Sequence, residues 1–278
     1  MIGRNKHRQE EGPQLRVLAA TLEGFRFVAR NPGIVLRLAL PAALCLTAVH
    51  FALFGFAPPP EDETPGLMAL LADSGDLIAE ILFIAIVLVA WQRRILLGPG
   101  AVRMRLSKRE LRMSLAVLLL VLVLALVYVA AILAAIPAVM AGAMGLAEGL
   151  EAAAWIATAY LAGRLYFALP PIAIDRETSL REAWRASGPQ AHKLMLIVAI
   201  VSVPFEALSA FATGLSENAL YAGAHAVLVG ATLLDNVLFM LHILVEASAL
   251  TFCYAALGGV RHILEARGMA PEPEAAPA

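Results

Sequence analysis

Charge is scarce in this sequence. Only 15% of its 278 residues are Asp, Glu, Lys or Arg, 60% are hydrophobic, and the mean hydropathy is +0.78. A soluble domain carries about 25% charged residues, so a fully water-facing surface is excluded and an integral membrane protein is expected. Cysteine is scarcer still: Cys45 and Cys253 lie far apart, each inside an apolar run. That excludes a disulfide framework or a thiolate zinc site, and each cysteine reads as a small buried hydrophobe. There is no phosphate loop, no GxSxG elbow and no HExxH pair, so no catalytic residue, metal or cofactor is expected. No nucleic-acid module is visible either. A cleavable leader is also missing, because no apolar core directly follows the charges of "MIGRNKHRQEEGPQLRV".

What the sequence has is long apolar runs. A spanning helix needs about 20 mostly apolar residues. Six runs qualify, at 32–56, 77–97, 114–138, 152–172, 194–213 and 227–257. They predict an all-α protein with six transmembrane helices, in which 1–31 is a cytoplasmic N-terminus, 32–257 the membrane domain and 258–278 a cytoplasmic, partly disordered tail. The positive charge fixes the orientation. Residues 1–31 hold six Lys/Arg, 93–113 seven and 175–193 four, and the tail adds Arg261 and Arg267. The loops 57–76, 139–151 and 214–226 hold none. By the positive-inside rule both termini face the cytoplasm of a bacterial inner membrane. Trp91 and Tyr166 are expected at inner ends of spans, Trp155 and Tyr221 at outer ends, as an aromatic belt.

Two basic connections share a frame. "PGAVRMRLSKRE" at 99–110 aligns without gaps on "PIAIDRETSLRE" at 171–182. Each ends in S-x-x-E, the capping-box spacing in which serine and glutamate satisfy each other's free amides at a helix start. After the second box, Leu180, Ala183, Trp184 and Ser187 share one face, with Arg181, Glu182 and Arg185 towards the other. This describes a short interfacial helix, apolar face in the acyl boundary and cations among headgroups. A third member is read at the N-terminus, where Leu15, Leu18, Leu22, Phe25 and Val28 form an apolar stripe and Arg16, Glu23, Arg26 and Arg30 face away. The chain thus reads as three copies of an interfacial helix followed by two spans.

The "RNPG" leading into the first span and the block "RLYFALPPIAIDRETSLREAWRAS" resemble the YciC-like family. That family is related to the membrane domain attached to some glycerophosphodiester phosphodiesterases. The resemblance covers most of 14–257 as architecture, and its specific part is about 164–193. It implies a six-span membrane protein without an established activity. The phosphodiesterase chemistry belongs to a separate barrel domain for which these residues leave no room, so it is not carried over.

Ionisable residues inside spans are functional candidates because they are costly in hydrocarbon. Here they are Arg164, Glu206, Asp235, His242 and Glu246, the last three on one helical stripe. Two readings compete. Arg164 pairs with Glu246 or Glu206 and holds the bundle together, or the group lines an ion, proton or substrate path beside a kink at Pro204. An intramembrane enzyme would need two or more of Glu206, His242 and Glu246 around one water. Ala130, Ala134, Ala138 and Gly142 predict a close-packing face. The leading expectation is a non-enzymatic inner-membrane protein that organises or supports envelope components. It would contact anionic lipid through Arg103, Arg105, Lys108, Arg109, Arg181 and Arg185, and join protein partners or further copies of itself. The alternative is a transporter or lipid-handling permease using Arg164, Glu206, His242 and Glu246.

Overall fold

The computed structural model describes residues 15–55, 67–102, 104–176 and 179–259. The tail at 260–278, the acidic loop at 56–66, residues 1–14, Arg103, Glu177 and Thr178 lie outside them. Among the described residues all regular structure is helical: α1 (Val17–Arg30), α2 (Pro32–Phe54), α3 (Leu67–Leu97), α4 (Lys108–Met140), α5 (Met144–Leu165), α6 (Leu169–Ala173), α7 (Leu180–Ser187), α8 (Ala191–Tyr221) and α9 (His225–Tyr254). Six segments are long and apolar enough to cross a membrane: Pro32–Phe54, Leu71–Leu97, Lys108–Met140, Met144–Ala173, Leu180–Tyr221 and His225–Leu257. The chain is an all-helical, multi-pass membrane protein. The spans alternate in direction, so α2, α4 and α8 run from the basic side to the acidic side and α3, α5 and α9 run back.

Most helices run longer than their apolar cores. α8 begins before 194, extends well past 213 and passes unbroken through Pro204, because the ring of a helical proline removes one hydrogen bond without ending a helix that neighbours support. The sixth span begins at His225 and is continuous to Tyr254.

α9 is the hub. It packs against α8, α1, α2 and α3, and its half nearest the basic side is deeply buried, with Leu244, Ala247, Ser248, Ala249, Leu250 and Thr251 wholly enclosed. Small residues allow the tightest contacts. A β-carbon on Gly24 would lie 3.0 Å from the Val245 carbonyl oxygen and 3.0 Å from the Ala249 methyl, and one on Gly163 would lie 3.0 Å from the Leu194 backbone. Gly24 therefore turns α1. The helix buries Thr21 and Gly24 against α9 and leaves Leu18 67% and Leu22 50% exposed, while Leu15 of the same stripe is buried. The small-residue stripe on α4 behaves differently: Ala138 is buried while Ala130, Ala134 and Gly142 are exposed, and this end of α4 and the facing part of α5 line a cavity of about 540 Å³.

The shared S-x-x-E frame starts a helix both times, with different products. Ser179 and Glu182 form the full reciprocal box, at 3.2 and 3.0 Å, over the eight-residue α7. Ser107 caps α4 by accepting from the Arg109 amide at 3.3 Å, but its hydroxyl donates to Glu110, which is buried. α4 then continues for 33 residues with no separate short helix. The apolar run begins at Met113, directly after this cap, and nothing interrupts the helix.

Candidate functional site

The interior polar residues sort by partner. α8 and α9 are antiparallel neighbours, and serines on one meet ionisable groups on the other. Ser202 lies 3.1 Å from His242 Nε2, and seven residues on along α8 and seven back along α9, Ser209 donates to Asp235. Phe205, between the two serines, stacks on the His242 ring at 5.1 Å. The equal heptad steps make this an interhelical polar seam, of the kind that satisfies side chains in hydrocarbon. Glu246 also reaches His242 Nε2, at 3.5 Å. Ser202 and Glu246 thus share one ring nitrogen. A nucleophile–base–acid triad needs them on opposite nitrogens, so this is not a triad arrangement. Glu206 is exposed on the outside of α8 and joins none of these.

Arg164 differs from expectation: it meets neither Glu246 nor Glu206. It is 7% exposed, and all its observed partners are neutral. Nη1 donates to the Tyr160 hydroxyl at 3.0 Å, Nε to Ser187 Oγ at 3.3 Å, and Nη2 to the Trp184 carbonyl. The guanidinium lies 3.4 Å from the Trp184 ring centre. Trp184 O belongs to the last turn of α7, whose carbonyls lack helical donors and carry the negative end of the helix dipole. Arg164 therefore caps α7 from α5. A cation facing a helix C-terminus and an indole needs no carboxylate, and i+20 pairing to a carbonyl leaves no side-chain pattern in the sequence.

The basic side is also partly self-satisfied. Arg109 binds Asp175 with Nε at 2.7 Å and with Nη2, and Arg93 lies 3.7 Å away while donating to the Ala173 carbonyl at 2.9 Å. Asp175 adopts φ 61°, a left-handed conformation that Asp tolerates. Its turn aims the carboxylate back at the start of α4. Arg109 is thus a tie between the two connections and not an exposed headgroup contact, whereas Arg105, Lys108, Arg181 and Arg185 are exposed. Trp91 and Tyr166 are not belt residues either. The Trp91 indole donates to Ser248 Oγ at 2.8 Å and to the Leu244 carbonyl at 3.1 Å, and Tyr166 accepts from Gln92 at 2.7 Å. Both are buried by α9, the helix whose contacts apolar periodicity does not reveal.

A cavity of about 320 Å³ opens between α3, α4 and α9. Its walls are Ile, Leu, Val and Phe, with Tyr166, Glu80 and Glu246 as the polar groups. Of the sequence candidates only Glu246 is here. Glu80 lies inside the apolar run 77–97, one turn after Asp76, and is not among the sequence candidates. Comparison with protein-family models, curated proteins and solved structures gives no match.

Proposed function

We propose that the chain is a non-enzymatic multi-pass protein of a bacterial inner membrane, with its basic side in the cytoplasm, that organises or supports other envelope components and holds anionic lipid on that side. The observation that carries this reading is a cleft of about 170 Å³ between α4, α5 and α7, lined by Ala116, Leu119, Leu120, Val123, Leu180 and Trp184 among others. Arg112 stands one turn before Ala116 on the same α4 stripe and is exposed, as are Lys108, Arg181 and Arg185. An acyl chain in the cleft would bring its phosphate among these cations, each worth about 1 kcal/mol near an anionic surface. The resemblance to the YciC-like family fits this reading.

A transporter or permease would gather Arg164, Glu206 and His242 around one polar cavity with Glu246. Arg164 caps a helix, Glu206 faces outwards and His242 sits in the α8–α9 seam, so that alternative is the weaker one. Lipid retention tests the leading reading. The protein with Lys108→Gln, Arg112→Gln, Arg181→Gln and Arg185→Gln, purified from mixed phosphatidylglycerol and phosphatidylcholine, should lose most of the phosphatidylglycerol preference of the parent in native mass spectrometry. An unchanged ratio would sink the lipid-holding role.

A further inference from the structure

Hydrogen bonds between helices absorb most of the ionisable groups inside this bundle. His50 holds Asp76 at 3.4 Å, Ser209 holds Asp235, and His242 is shared by Ser202 and Glu246. Glu80 is different. It is half-buried in α3, within the Leu71–Leu97 span, and has no hydrogen-bond or ion-pair partner among the described residues. It faces the cavity between α3, α4 and α9, and no Lys, Arg or His lines that cavity. Asp76 and Asp235 stand close enough to add their negative fields to it. A carboxylate in hydrocarbon is costly unless a cation or donor meets it, and none of the described residues around Glu80 supplies one.

The shape of the cavity says what would. It follows α3 from Leu77 to Leu88, a length of roughly 16 Å at the helical rise. Ile84, Leu88, Leu120, Val121 and Ile243 wall its middle. Glu80 sits towards the acidic side. Glu246 lies deeper, level with Trp91, which bonds α9 on either side of it at Leu244 and Ser248. The site is therefore an elongated apolar slot with a free carboxylate near one end. An alkyl chain complements the walls, and a protonated amine complements Glu80 by charge and by its N–H donors. An anionic lipid head would meet like charge there.

We propose that this slot binds a single-chain amphiphile carrying a protonated amine, with the amine on Glu80 and the chain lying between α3, α4 and α9. This site shares the walls Leu120 and Leu169 with the anionic-lipid cleft on the basic side, but its carboxylate and the cations of that cleft are different groups, so either can fail without the other.

The test uses dodecylamine, with dodecanol and dodecanoic acid as controls, on the full chain in neutral detergent, read by native mass spectrometry. One dodecylamine should be retained per chain, in preference to both controls. Glu80→Gln removes the charge at nearly constant volume and should weaken the amine by about tenfold, as expected for losing a charged hydrogen bond, while leaving dodecanol unchanged. Val121→Trp, which fills the slot from α4 at a residue that does not line the basic-side cleft, should abolish retention. A thermal midpoint within a few degrees of the parent shows that each variant is folded; if Val121→Trp fails this check, Val121→Phe replaces it. Equal retention of dodecanol and dodecylamine, no retained amine, or an undiminished affinity in Glu80→Gln would each overturn the proposal.

Discussion

Arg164 spends its charge on a helix end rather than on an acid. Arg164→Met would remove the guanidinium donor from the Ser187 hydroxyl, leave the Trp184 carbonyl only the 3.3 Å bond from Ser187 Oγ, and remove the stack on Trp184. A loss of about 2–4 kcal/mol is expected. Arg164→Lys keeps the charge but not the planar fork, so a smaller loss of about 1–2 kcal/mol should follow. Thermal unfolding in detergent reads both, and a lysine variant as stable as the parent would mean that charge alone suffices. Asp175 is 56% exposed, so its tie to Arg109 is screened. Asp175→Asn, which keeps a left-handed-tolerant residue, should cost no more than about 1 kcal/mol. The importance of Arg164 was legible because a lone cation in an apolar run is conspicuous. Its partners were not, because a backbone carbonyl at a helix end has no signature in residue types. Asp175 was visible as the difference between the two copies of the connection, and the structure gives that difference a purpose: the second copy holds the first.

Among the elements, helix existence followed from hydropathy, and the capping serines at 107 and 179 marked two starts correctly. Which face each helix buries did not follow. In a membrane, leucine is equally content against lipid and against protein, so an apolar stripe cannot tell inside from outside. Small residues decide instead. Leu18 and Leu22 stay outside because Gly24 fits the α9 backbone and they do not. Gly24→Ala and Gly163→Ala should each destabilise the bundle by about 1–3 kcal/mol, since each methyl would press on a backbone that cannot move aside. Gly33→Ala, where nothing lies within 4 Å, is the matched control and should change little. Equal midpoints for all three in detergent denaturation would show that the close approaches carry no weight. The seam between α8 and α9 is more modest, and Ser209→Ala should cost only about 0.6 kcal/mol.

For the whole molecule, the six spans were legible from composition, and the proposed orientation rests on the charge asymmetry. In a Cys45→Ser, Cys253→Ser background, a cysteine at Arg181 should react with a membrane-impermeant maleimide only after the cytoplasmic side is opened. One at Tyr221 should react on intact cells. The reverse pattern would invert the topology. Least legible was that α9 is the centre, because hub position depends on which helices meet and no local pattern encodes that. Its place in the chain has a consequence for biogenesis. α1, α2 and α3 leave the ribosome before their main partner exists, and Gly24, Trp91 and Thr47 bond or pack onto residues translated more than 150 positions later. Until α9 is inserted, the early helices must wait in the bilayer or be shielded by the insertion machinery, so assembly is a late, cooperative closing around the final span and a nascent chain halted before it is a target for membrane proteases.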